Sequence, residues 1–286
     1  MVRRVDVVGR GGARLAAWEF SEPPKTEDAG RRPGVLLLHG LMGRSVHWEE
    51  AARWLSGRWR TVGLDQRGHG RSERPPDGDY DRDAFVADAE AALEQLDLAP
   101  AVLIGHAMGA LTAWQLAARR PDLVRAVVIC DMRASPMGEE SQREWSRWYD
   151  SWPTPFASLA EVRRWFGEED PILDRPSPVR GRYYAEVMSE GEDGWYPVFS
   201  RGDMLRAREA WVHDAHWEEL AQVSCPALVV RGLGGELGRA EAQEMVRVLP
   251  RGSYADIPDA GHLAHHDRPE AWRAVVEPFL ESAERA

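Results

Sequence analysis

From residue 34 onward, short apolar runs alternate with stretches of helical period, and this alternation constrains the fold more than any other feature. GVLLLHG is followed by VHWEEAARWLSG, WRTVGLD and the long stretch DRDAFVADAEAALEQLDL, then by AVLIGHA, MGALTAWQLAARRP and VRAVVICD, which ends at Asp131. Apolar runs bounded by turn signals and joined through helices read as βαβ units, so a parallel sheet with helices on both faces is expected. Ahead of this series, alternating patterns in Arg4 to Val8 and Ala13 to Phe20, separated by Gly9 to Gly12, read as a two-stranded hairpin. The polar linker SEPPKTEDAGRRP joins the two parts.

Around Arg133 the alternation stops. As far as His216 there is no clear strand, only helical stretches such as EESQREWSRWYDSW, SLAEVRRWFG and RAREAWV set apart by Pro and Gly. The series resumes with PALVVRG, RAEAQEMVRVLP, SYADIP, the turn DAGH and the final helix DRPEAWRAVVEPFLESAER. The expected organisation is one α/β core from residues 1–132 and 217–286, split by a helical insertion at 133–216. The chain's 286 residues suffice for one such domain, and no internal repeat or low-complexity tract interrupts it.

Composition narrows the function. The formal charge is −11 and Arg is interspersed with Glu and Asp, so there is no basic stripe for a phosphate backbone and nucleic acid is not an expected partner. No apolar run approaches the roughly 20 residues of a membrane span, and the N-terminus MVRRVDVVGRGG lacks the apolar segment of a signal peptide. Cys130 and Cys225 each sit beside an expected strand, where a reduced thiol is the ordinary state, and a cytoplasmic setting is expected.

Gly105-His106-Ala107-Met108-Gly109 lies where the strand AVLIG turns into the helix that starts at Met108. This is the G-x-Nu-x-G pattern of a tight strand-to-helix turn that projects its middle side chain from the top of a sheet, and glycines flank it because strand and helix pass close together. The middle residue here is Ala107, which has no lone pair to attack with and no proton to lose. A G-x-A-x-G string alone carries little weight, since it recurs by chance. Its place between a βαβ strand and helix gives it meaning.

After the first strand of the series stands His39-Gly40-Leu41-Met42-Gly43, where the backbone N–H of Leu41 can join that of Met108 as an oxyanion hole. The competing reading of His39-Gly40 is a plain strand-ending turn. Asp65-Gln66-Arg67-Gly68-His69-Gly70-Arg71-Ser72 follows the next strand and reads as scaffold bracing that loop. Near the C-terminus, His262 follows the last strand in the position of a general base, whereas the neighbouring His265 and His266 read as structural or exposed.

Together HGLMG, DQRGHGRS, GHAMGA and AGHLAHHDRPEAW make the chain resemble the α/β-hydrolase superfamily over nearly its whole length, in particular the soluble bacterial members with a helical cap. The resemblance implies a mostly parallel eight-stranded sheet, no cofactor, no metal and a small-molecule substrate. It also implies that Ala107 stands where a serine belongs, since Met108-Gly109-Ala110 looks like the serine version of the elbow. The superfamily usually supplies its acid after the strand PALVVRG, in a G-x-x-D turn, but here that stretch reads Gly232-Leu233-Gly234-Gly235-Glu236. Glu236 can serve one step late. A subset takes the acid from the end of the strand before the insertion, the place of Asp131, and Asp131 is the preferred candidate. Its alternative role is to cap the first helix of the insertion.

The insertion holds 13 of the chain's aromatic residues, six Trp, four Tyr and three Phe. Most are expected to form its own core. Trp148 and Trp152, with Trp165 and the interleaved Arg147, Arg163 and Arg164, are candidates to line a pocket for a sizeable, partly aromatic or apolar substrate that carries an acid group. The leading reading is a serine hydrolase of an ester, lactone, thioester or amide, inactivated by an engineered Ser-to-Ala change at Ala107. Its competitors are a natural binding protein, and a lyase, cyclase or cofactor-independent oxygenase that uses His262 as base.

Overall fold

The computed structural model describes residues 2–21, 32–75 and 78–285; most of the polar linker after Phe20 lies outside the described residues. The chain opens with β1 (Arg3–Val8) and β2 (Arg14–Glu19), the expected hairpin, and continues with β3 (Gly34–Leu38), α1 (Glu49–Leu55), β4 (Arg60–Leu64), α2 (Arg82–Gln95), β5 (Ala101–His106), α3 (Met108–Arg119) and β6 (Val124–Cys130). The insertion supplies α4 (Gly138–Asp150), α5 (Leu159–Arg164), α6 (Pro178–Ala185), β7 (Met188–Glu190), β8 (Trp195–Pro197) and α7 (Arg201–Val212). The chain then returns through α8 (Trp217–Ala221), β9 (Ala227–Gly234), α9 (Arg239–Val248), β10 (Gly252–Gly261), α10 (Ala264–Asp267) and α11 (Pro269–Arg285).

Eight strands form one sheet in the order β1-β2-β4-β3-β5-β6-β9-β10. β1 and β2 run antiparallel at one edge, and the strands from β4 to β10 pair in parallel. Every residue of β3 and β5 is buried, which is why GVLLL and AVLIGH read as unbroken apolar runs rather than as alternating ones. Alternation survives in where the side chains go. Leu36 and Leu38 pack with Val86, Leu111 and Trp114 on one face, while Val35 and Leu37 pack with Trp48, Trp272 and Leu280 on the other. This is the α/β-hydrolase fold. The sheet order doubles back at β3, so the loops that leave the C-terminal ends of β3 and β5 open onto one crevice.

The insertion departs from its reading in two places. It contains a short hairpin, β7 with β8, where no strand is expected, and a helix, α6, over a stretch left unassigned. Three-residue strands are too short to show a period of two. The signal for α6 is present but local: Ser177 caps the helix by accepting from the Arg180 N–H at 3.2 Å, and Pro178 occupies its first turn. A third difference concerns the last strand, which runs past Pro258 to Gly261 through an irregularity between Ile257 and Gly261 and places Asp259 at φ 55°. The sequence signals a turn there because the bulge uses turn residues. Among the described residues no helix is long and apolar enough to cross a membrane, and both cysteines are free thiols.

Candidate active site

The elbow is built by steric necessity. Ala107 sits between β5 and α3 with φ 46° and ψ −119°, outside both helix and strand geometry. Its N–H donates to the Cys130 carbonyl at 2.9 Å, and its own carbonyl accepts from the Ala110 N–H at 2.8 Å, so the turn is pinned from the sheet side and the helix side. A Cβ on Gly109 would collide with the Leu38 and His39 carbonyls, which explains the glycine after Met108. Met108 is the first residue of α3, so its N–H is among those that helix geometry leaves without an intrahelical acceptor.

The loop after β3 is held from behind. His39 is buried; its Nδ1 donates to the Gly40 carbonyl at 2.8 Å, and its Nε2 accepts the Gln66 N–H at 3.0 Å. The Gln66 side chain donates back to the His39 carbonyl at 2.6 Å. Asp65 accepts the N–H groups of Ser45 and Arg71 and the indole N–H of Trp18, and Arg67 forms a two-pronged pair with Asp88 in the interior. The DQRGHGRS turn thus braces the loop that carries Leu41. His39-Gly40 is more than a plain strand ending.

His262 leaves the end of β10 and points Nδ1 at Asp131 Oδ2, 2.7 Å away. Asp131 stands directly after β6 at φ 46° and is buried, and it also accepts the N–H groups of Glu236 at 2.9 Å and Leu237 at 3.3 Å. It does not cap α4, whose N-terminal flanking residue is Met137. Glu236 Oε1 lies 3.9 Å from the same imidazole nitrogen on a side chain 58% exposed, against 1% for Asp131. A Cβ on Gly235 would fall 2.5 Å from Asp131 Oδ1, so the loop after β9 carries glycine where an acid is commonest and hands its backbone N–H groups to the carboxylate opposite.

Burial, the largest single influence on His262, disfavours the imidazolium. The charge of Glu236 and the hydrogen bond and charge of Asp131 outweigh it and raise the pKa to about 9. The His262 carbonyl accepts from His106 Nε2 at 2.9 Å, which ties the loop after β10 to the residue before the elbow. Neither neighbouring histidine lines the cavity: His265 is buried and stacked on Trp48 at 4.4 Å, and His266 is only partly covered.

Ala107, Met108, Leu41, Asp131 and His262 all line one cavity of about 1110 Å³, enclosed on its far side by α4, α6 and α7. Trp148 lines it, with its indole N–H donated to Asp170 at 2.9 Å. Trp152 does not. It is stacked on Tyr149 at 4.3 Å and meets Phe166 edge-on within the insertion's aromatic core, where Trp165 also lies. Arg147, Arg163 and Arg164 are exposed, and the first and last pair with Glu140 and Glu169. The arginines that do reach the cavity are Arg133, Arg175, Arg180 and Arg208, none of which is singled out by the sequence pattern. Which face of an insertion helix looks inward depends on how that helix docks, and no local signal records it. Among the described residues no group of three or more His, Cys, Asp or Glu is placed to hold a metal ion.

The sheet order and the tight strand-to-helix turn at Ala107 define the α/β-hydrolase fold. A family model described as alpha/beta hydrolase fold matches residues 33–171. The chain is 26% identical to the solved structure of E-2-(acetamidomethylene)succinate hydrolase, with a TM-score of 0.83 over 98% of this chain and 99% of that one. It is also similar to 2-(acetamidomethylene)succinate hydrolase of Mesorhizobium japonicum, 26% identical over 89% of this chain and 90% of the relative. Similarity to sn-1-specific diacylglycerol lipase ABHD11 of Mus musculus is 28% identity over 87% and 81% respectively. The chain has the alpha/beta hydrolase fold.

Proposed function

We propose that this chain carries the site of a serine-type hydrolase for an ester, lactone, thioester or amide in a partly apolar or aromatic small molecule, with Ala107 in the nucleophile's place. His262 is the general base, Asp131 orients its ring and balances its charge, and the N–H groups of Leu41 and Met108 face the developing oxyanion. Residues 133–216 act as the cap over this site. The observation that carries the reading is the His262–Asp131 contact at 2.7 Å, opening onto the same cavity as an elbow residue held at φ 46°. A retained base, a retained acid and a retained oxyanion loop around one missing oxygen support the loss of a single atom rather than the decay of a site. The Mesorhizobium japonicum relative is itself a hydrolase.

As written, the chain cannot form an acyl intermediate and is expected to bind substrate with turnover about a millionfold below its serine form. The test is Ala107→Ser, assayed on ester, thioester and amide panels and with a fluorophosphonate that labels activated serines. Labelling and turnover in Ala107→Ser, both lost in Ala107→Ser/His262→Ala, are expected. A folded Ala107→Ser protein that is neither labelled nor active overturns the reading.

A second reading is favoured by the completeness of the His262–Asp131 pair in the chain as it stands. Here the imidazole removes a substrate proton without covalent catalysis, as in a lyase. Turnover by the unaltered chain that disappears in His262→Ala would select it.

A further inference from the structure

Arg208 differs from the other arginines around the cavity. It lies on α7, is 4% exposed and lines the same cavity as Ala107 and His262. Its Nη1 donates to Gln142 Oε1 and its Nη2 to Ser141 Oγ, both at 2.6 Å, and Nη2 also approaches Met137 Sδ at 3.7 Å. All three partners are neutral, and among the described residues no carboxylate lies within 4 Å of the guanidinium. The other cavity arginines differ. Arg180 is paired with Asp170 at 2.6 Å and Arg133 with Glu241 at 3.2 Å, while Arg175 is exposed to water.

A buried guanidinium without a counter-charge is costly, because water is removed and nothing of opposite sign replaces it. The cost registers in its acidity: burial lowers the Arg208 pKa to about 10, against the upward pull of the more distant Glu236 and Glu209. Arg208 therefore stays charged at neutral pH. Its guanidinium lies 5.5 Å from the Trp211 ring and 5.8 Å from the Trp145 ring, and both rings line the cavity. Five donors are available to a guanidinium, so fixed neutral partners leave capacity for a planar two-oxygen anion. Glu144 and Glu236 also line the cavity, so attraction for an anion is local to Arg208 rather than a property of the whole chamber.

We propose that Arg208 anchors a carboxylate of the substrate, remote from the bond that reacts, with the adjoining flat apolar body lying against Trp145 and Trp211. The inference rests on the hydrolase reading only in taking the molecule bound in this cavity to be the substrate. The test is isothermal titration of the unaltered chain with phenylacetate, 3-phenylpropionate and indole-3-acetate, each paired with its primary amide. At least one acid is expected to bind tenfold or more tightly than its amide. Arg208→Gln should remove that preference while leaving amide affinity within twofold, and Arg208→Lys should keep part of it. Equal affinity for acids and amides, no binding by any acid, or a preference that survives in folded Arg208→Gln overturns the proposal. If Arg208→Gln does not fold, a crystal structure of the unaltered chain with the tightest acid decides instead. Carboxylate oxygens within hydrogen-bond distance of Arg208 are expected, and an acid lodged elsewhere in the cavity overturns the assignment. A silent Ala107→Ser protein that still prefers acids removes the hydrolase reading alone.

Discussion

Nδ1 of His262 and Oδ2 of Asp131 meet at 2.7 Å although 131 residues separate them in the chain. Asp131 comes from the end of β6, and His262 from beyond β10, two strands away in the sheet. The pair is oriented from a third side by the backbone N–H groups of Glu236 and Leu237.

On the proposed function, the two carboxylates are expected to differ in role. In an Ala107→Ser background, Asp131→Asn is expected to lower kcat by about 10⁴, since the amide cannot hold the Nδ1–H tautomer. Glu236→Gln, which removes only an exposed group 3.9 Å away, should cost less than about tenfold. Steady-state kinetics on the best ester of the panel measures both.

The titration of His262 supplies a pH prediction. Its pKa is raised to about 9, above the ordinary imidazole range. The stabilisation that comes with this shift is fully present below about pH 6.5 and is lost as pH rises through about 9. Catalysis has the opposite dependence, because a base must be neutral: kcat/KM of Ala107→Ser should climb between neutral pH and about 9. Glu236→Gln should move the imidazole midpoint downward. NMR titration of the ring in the unaltered chain is the direct check, and a midpoint unmoved by that substitution would contradict the charge argument.

Gly235 faces the Asp131 carboxylate at a distance that leaves no room for a methyl group. Gly235→Ala is expected to push the β9 loop away, weaken both N–H contacts to Asp131 and cost about 1–3 kcal/mol in urea denaturation. The same variant should lower the imidazole midpoint, a readout that a purely structural disturbance far from Asp131 would leave alone.

Two interior substitutions test the scaffold. Asp88→Ala removes the two-pronged partner of the buried Arg67 charge, leaving only Asp79 at 3.8 Å, and should destabilise by about 3 kcal/mol. Trp152→Ala opens the aromatic core of the insertion and should cost a similar amount, about 3–5 kcal/mol, while leaving the cavity lining in place. Denaturant melts give both values. A Trp152→Ala protein that is fully stable but has altered ligand affinity would return this side chain to the cavity wall.

The amino-acid sequence by itself determined the order of sheet and helix, the interruption after Asp131, and the turns that carry Ala107, Leu41 and His262. Each of these depends on a run of neighbours: an apolar strand, a helical period, or a glycine at a close approach. It also offered Asp131 as the preferred partner for the imidazole and Glu236 as its rival, on the strength of a family pattern, since distances between segments more than a hundred residues apart are not written in local sequence. Only the tertiary structure brought Asp131 to 2.7 Å and left Glu236 at 3.9 Å. The inward face of the insertion was decided at the same level. Trp148 and Trp152 sit one helical turn apart around the end of α4, yet one lines the cavity and the other fills the core behind it. Arg208 becomes distinctive only once α4 and α7 pack around it and, among the described residues, leave no carboxylate within 4 Å of it. Local pattern encodes what a segment becomes; docking of segments distant in the chain determines which side chain meets which.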